Sequence, residues 1–155
     1  MSELSHLDES GRARMIDVGD KPVTDRRATA EAIVTMSDAI RTALFSGGLP
    51  KGDALAVVRL AAIMAAKRTP DLIPLCHPLA LTSIGVEVEE MADGARIVVT
   101  VATTGRTGVE MEAMTGAAIG AVALYDMVKG LDHGVEIGPV RLLSKAGGSS
   151  GEWRR

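Results

Sequence analysis

Aromatic side chains are almost absent from this chain: Phe45, Tyr125 and Trp153 make up 2% of its 155 residues. A core must therefore be assembled from Ala, Val, Leu, Ile and Met. Base stacking on aromatic platforms, the usual device for gripping single-stranded nucleic acid, is excluded as a main function. Cysteine occurs once, as Cys76, which excludes an internal disulfide framework. Neither a Cys-x-x-Cys pair nor clustered histidines offer a zinc site. Charge of one sign is not in excess: 17 Lys and Arg stand against 20 Asp and Glu, a net −3. That balance argues against a general polyanion binder and leaves room for a local cationic pocket taking one phosphorylated small molecule. No uncharged apolar run is long enough to span a bilayer, and the opening "MSELSHLDESGRARMIDV" has no apolar signal core. The expectation is a soluble, cytoplasmic protein without membrane or nucleic-acid partners.

What is present is a chain with 46% hydrophobic and 24% charged residues, enough for one domain with a real core. Residues 1–12 and 146–155 are polar or Gly/Ser-rich and expected to be flexible. "ARMIDV" (13–18) has the makings of a short edge strand. Thr24 or Asp25 is placed to cap a first helix reaching about Ser46, with Ile33, Met36, Ile40 and Leu44 on one stripe and Gly47-Gly48 as the stop. Asp53 is placed to cap a second helix, with Leu55, Val58 and Ala62 inward. "LTSIGVEVEE" and "ARIVVTVATT" alternate around Asp93-Gly94, a hairpin signal. "TGVE" reads as a capping box, Thr107 as N-cap and Glu110 reaching back, for a third helix to about Leu131. "VEIGPVRLL" (135–143) reads as a last strand. The order implies an α+β domain with helices on one face of an antiparallel sheet.

The third helix is apolar around nearly its whole circumference, from Met111 and Met114 through Ala117, Ile119, Val122 and Leu124 to Val128. Such a helix must be covered on all sides, and a small single-layer domain covers one, so a second subunit is expected on the rest. Its ionisable residues Glu112, Asp126 and Lys129 each need a partner or a ligand. Asp126 and Lys129, three apart, share a face, which permits a direct pair. Glu112 and Asp126 lie roughly 21 Å apart along the axis and differ by only about 40° around it. One chain cannot present both to one small substrate. Either they are unrelated structural charges or a neighbouring subunit brings the second group round; the apolar helix favours a composite site.

Other groups fit anion chemistry. Lys51 precedes a helix start in "LPKGDAL", and Arg106 lies beside the next one. Lys145 precedes "AGGSSG", which is not a Walker A motif because no helix follows. In "LIPLCHPL" (72–79) an apolar run between prolines carries Cys76 and His77. Pro78 restricts His77 to extended geometry, and a hydrogen-bonded core histidine is the alternative to a ligand-binding one.

Together, "KGDALAVVRLAAIMAAKRTPDLIPLCHPL", "GRTGVEMEAMTGAAIGAVALYDMVK" and "GPVRLLSKAGGSSGEW" resemble the signature blocks of the MoaC family, cyclic pyranopterin monophosphate synthases of molybdenum cofactor biosynthesis. The opening "HLDESGRARMIDVGDKPVTDRRATA" is similar too, so the resemblance spans nearly the whole chain. Ser149 stands where the family usually has a lysine.

The resemblance implies a ferredoxin-like α+β fold and a homohexamer of three dimers with sites between subunits. It implies conversion of 3′,8-cyclo-7,8-dihydroguanosine 5′-triphosphate, supplied by a radical-SAM enzyme, to cyclic pyranopterin monophosphate and pyrophosphate. It places Leu75, Cys76, His77, Met111 and Glu112 around the substrate. Asp126 and Lys129 become the catalytic pair, supported by Lys51 and Lys145, with Cys76 a pocket wall rather than a nucleophile. The proton transfers call for acid–base groups rather than a redox cofactor. Magnesium is compatible with a triphosphate, but no carboxylate cluster demands it. The rival readings are a non-catalytic oligomeric module that binds a nucleotide, and an enzyme of other nucleotide chemistry on the same fold.

Overall fold

The first strand shows how pairing overrides propensity. Residues Thr24–Thr35 form β1, whose alternate residues Ala28, Ala30, Ala32 and Val34 are completely buried. Alanine and glutamate favour a helix here locally, which is why the segment reads as one. Strands on both sides decide otherwise, with β1 antiparallel to β3 (Gly94–Gly105) and to β4 (Glu136–Ala146). The computed structural model describes residues 6–155. Helix α1 is confined to Asp38–Ser46, buries Ile40 and Leu44, and ends at Gly47 in a left-handed conformation.

Asp53 caps α2 (Ala54–Lys67) as expected, its Oδ1 accepting from the Ala56 N–H at 3.0 Å. A one-turn α3 (Thr69–Leu72) follows, then the hairpin of β2 (Leu81–Met91) and β3. Helix α4 spans Glu110–Val128, starting later and ending earlier than the sequence suggests. The capping box does not form: Val109 occupies the N-cap position without a side-chain bond, and Glu110 pairs with Lys145 at 3.2 Å instead. A lysine competes for that carboxylate more strongly than a backbone N–H.

"ARMIDV" forms no named strand; Ala13 bridges Leu7 in an isolated pair. At the other end the Gly/Ser-rich stretch leads into a short strand β5 (Trp153–Arg154) that pairs with Ser144 and Lys145. The antiparallel sheet runs β2-β3-β1-β4-β5 with the helices on one face, an α+β ferredoxin-like fold.

Small residues replace the missing aromatics. Helix α4 packs against both α2 and the sheet, burying Ala113, Gly116, Ala117, Gly120 and Ala121. A Cβ on Gly116 would sit 3.1 Å from both the Ala62 carbonyl oxygen and Val99 Cγ1, so the helix rests almost backbone-to-backbone on α2. This packing hides a helix whose length and hydropathy match a membrane span. It leaves one apolar strip exposed: Val57, Leu60 and Met64 of α2 with Ile119 and Val122 of α4. On the opposite sheet face Glu31, 2% exposed, accepts from Arg96 Nε at 2.5 Å and Arg141 Nε at 2.6 Å, and Arg96 reaches on to Glu89 at 3.0 Å. Four strands are stapled by these four side chains.

Candidate active site

The end of α2 builds the wall of a cleft. Thr69 turns its hydroxyl back to the Ala66 carbonyl at 3.0 Å, and Pro70 opens α3. The Cys76 N–H then donates to the Ile73 carbonyl at 3.1 Å, making a turn over Pro74-Leu75. From Cys76 onward the chain runs without helix or turn into β2, as the proline at 78 requires. His77 Nε2 donates to the Ile16 carbonyl at 2.7 Å and so holds the segment before β1 against the cleft. Its Nδ1 is the ring atom left for a ligand.

The cleft, about 480 Å³, brings Leu75, Cys76, His77, Met111 and Glu112 together, with Ile16, Val18 and Lys21 closing one side. Glu112 is 3% exposed. Burial, aided by the nearby Glu110 charge, pushes its carboxyl above the ordinary range against a bond from its own backbone. A carboxyl shifted in this direction keeps its proton to higher pH than an exposed one. Burial also pushes the Cys76 thiol up, with help from Glu112, which favours the thiol over the nucleophilic thiolate.

A second recess of about 260 Å³ shares Lys21, Thr107, Gly108 and Glu110 with the cleft and is lined by Arg26, Arg27, Arg106 and Lys145. Lys145 is held by Glu110 and by Ser150 Oγ at 2.9 Å. The sequence reading placed Arg106 near an anion but missed Lys21, Arg26 and Arg27. The cationic run around "DKPVTDRR" was the available signal, obscured because its arginines were assigned to a helix start.

Lys51, Asp126 and Lys129 meet elsewhere, at the C-terminal end of α4. Lys51 Nζ donates to the Asp126 carbonyl at 2.6 Å and to Oδ2 at 3.2 Å, and Lys129 Nζ lies 2.8 Å from Oδ1. Hydrogen bonds from Lys129 and then Lys51 hold the Asp126 carboxyl below its ordinary range, and Asp126 raises Lys129. The trio is not buried, contrary to what its apolar helix suggested: the Asp126 side chain is 57% exposed. Its neighbours Leu124, Met127 and Val128 are buried in the core, so Asp126 is exposed because it lies on the outward face of the last turns. Among the described residues no group of three His, Cys, Asp or Glu is arranged to hold a metal ion.

The model of the MoaC family matches residues 15–148. The chain belongs to the MoaC family. A cyclic pyranopterin monophosphate synthase of Corynebacterium glutamicum (strain R) is 54% identical over 153 residues, covering 99% of this chain and 98% of the relative. Those of Parvibaculum lavamentivorans and Roseiflexus sp. (strain RS-1) are each 52% identical, over 98% and 99% of this chain and 96% and 98% of their own. In this MoaC chain the "LIPLCHPL" and "TGVEMEA" blocks meet in one cleft, while "YDMVK" lies at the far end of α4.

Proposed function

We propose that this chain is a cyclic pyranopterin monophosphate synthase, converting 3′,8-cyclo-7,8-dihydroguanosine 5′-triphosphate to cyclic pyranopterin monophosphate and pyrophosphate in molybdenum cofactor biosynthesis. The observation that carries the reading is the continuity of two cavities. A cleft with apolar walls and a buried acid suits the purine-derived bicycle, and the recess beside it, with five cations and one carboxylate, suits the phosphates. Leu75, Cys76, His77, Met111 and Glu112 hold the ring system, and Lys145 joins Lys21, Arg26 and Arg106 on the phosphate chain.

The catalytic trio lies too far along α4 to reach that substrate in the same chain. The exposed strip on α2 and α4 supplies the remedy. Ile119 is midway in sequence between Glu112 and Asp126, and a two-fold axis beside it would bring each Glu112 to the partner's Asp126 end. Covering the trio removes water. Desolvation works against the shifts seen in the open chain, raising the Asp126 pKa and lowering that of Lys129, and so moves this acid–base pair towards proton transfer. Lys51 also supplies positive charge where the phosphate cyclises and pyrophosphate departs. The rearrangement is redox-neutral, so we assign no cofactor; magnesium accompanies the triphosphate only as a counter-ion. A homohexamer of three such dimers in the cytoplasm, fed by a radical-SAM enzyme, completes the reading.

The test is incubation of purified protein with the cyclised GTP intermediate. Release of pyrophosphate in step with pterin formation is expected. Tight binding without pyrophosphate release would instead favour a nucleotide-binding module.

A further inference from the structure

Arg26 lines the cationic recess, its Nε is buried without a hydrogen-bond partner, and among the described residues no carboxylate pairs with it. What holds it is the backbone of the tail. The tail leaves β4 at Ala146 and crosses over Asp25 and Arg26 through Gly147 and Gly148, at φ +98° and +76°. A Cβ on Gly147 would lie 2.1 Å from the Asp25 carbonyl oxygen and 3.1 Å from Arg26 Cδ. A Cβ on Gly148 would lie 1.8 Å from Arg26 Nη1 and 2.5 Å from Cζ. Bare backbone is packed against the arginine side chain from Cδ to the guanidinium. The loop has little freedom to retreat: Lys145 and Trp153 pair across its ends, Lys145 bonds Ser150, and the Gly151 N–H bonds the Gly148 carbonyl at 3.2 Å.

We propose that Gly147 and Gly148 are positioning residues that seat the Arg26 guanidinium at the recess for a substrate phosphate. This rests on reading the recess as the phosphate site. The two glycines act differently. A methyl at position 147 meets a backbone oxygen and must displace the loop. A methyl at position 148 meets the end of a flexible side chain and displaces the guanidinium itself. The second is the informative substitution.

The experiment is calorimetric titration of the full-length protein with inorganic pyrophosphate, with thermal melts, for wild type, Gly148→Ala, Arg26→Ala, the double variant and Gly151→Ala. Loss of one charge-assisted contact should weaken binding by about tenfold or more in either single variant. The double variant should bind no worse than Arg26→Ala, because Gly148 acts only through that side chain. Gly151, at φ +66° with nothing within 4 Å of an added Cβ, carries similar backbone strain without the clash, so Gly151→Ala should bind like wild type. Wild-type affinity in Gly148→Ala, additive losses, or an equal loss in Gly151→Ala would each overturn the proposal. If Gly148→Ala fails to fold, the double variant decides: restored folding supports the seat, and continued failure overturns it. Turnover of the cyclised nucleotide by a wild-type protein indifferent to pyrophosphate would remove the seat and spare the function. Pyrophosphate affinity without turnover would do the reverse.

Discussion

Two inactive variants, Glu112→Gln and Asp126→Asn, should partly rescue each other when their subunits exchange. Their side chains are roughly 21 Å apart along α4 at 1.5 Å per residue. Glu112 lies in the cleft and Asp126 with two lysines at the other end of the helix. If both serve one reaction, they come from different subunits. A two-fold dimer of the two variants then holds one site with both lesions and one with neither. Random exchange makes about half of the dimers mixed, so about a quarter of all sites are intact. The assay is pyrophosphate release after co-incubation in mild denaturant and dilution, with exchange followed by mass spectrometry of isotope-labelled subunits. Activity near a quarter of wild type is expected, rising and falling with the mixing ratio. A mixture that stays inactive despite demonstrated exchange of intact dimers would refute the composite site.

Three further outcomes follow from individual side chains. Burial raises the Glu112 carboxyl above its ordinary value of 4.5, so its ionised form costs stability that the neutral form does not. Stability is therefore full below pH about 4.5 and declines as pH rises through the raised value; Glu112→Gln should raise Tm at pH 8 and lose that advantage in acid. Glu31 shows the opposite sign. Burial alone would raise its carboxyl, but Arg96 and Arg141 together lower it, so its contribution is present above 4.5 and lost as pH falls through the lowered value. Because the arginine side chains are 32% and 43% exposed and water can solvate them, Glu31→Ala should cost about 2 kcal/mol in denaturant titration at pH 7. Lys51→Ala should leave a folded oligomer by size-exclusion chromatography and reduce turnover about a hundredfold; near-normal product formation would make Lys51 an ordinary surface lysine.

The hairpin of β2 and β3 was legible because alternation and turn chemistry agree at Asp93-Gly94. Asp53 was legible because an N-cap is a local bond. Residues 24–35 were not, since alanine suits both a helix face and a crowded central strand, and only the partners Val99, Val101 and Leu142 distinguish them. Thr107 and Glu110 failed as a capping box for a related reason: Lys145, distant in sequence, claims the carboxylate. Leu75–His77 and Met111–Glu112 were each visible as blocks, and their meeting in one cleft is a property of the fold. Arg26 and Arg27 of the recess were visible as charges but assigned to a helix start instead of β1. Exposure of Asp126 was illegible, because a helix apolar all round does not announce which of its faces the chain leaves uncovered, and Ile119, Val122 and Asp126 lie on that face.

The scarcity of aromatics also makes the molecule its own instrument. Trp153 is the sole indole, and it lies on β5 with its backbone paired to Lys145 and the Arg155 guanidinium 5.8 Å from its ring. Selective excitation of tryptophan therefore illuminates one place, the junction where the C-terminal loop meets a residue of the cationic recess. Emission from that ring is a label-free optical signal for events at the recess, undiluted by any second fluorophore of its kind.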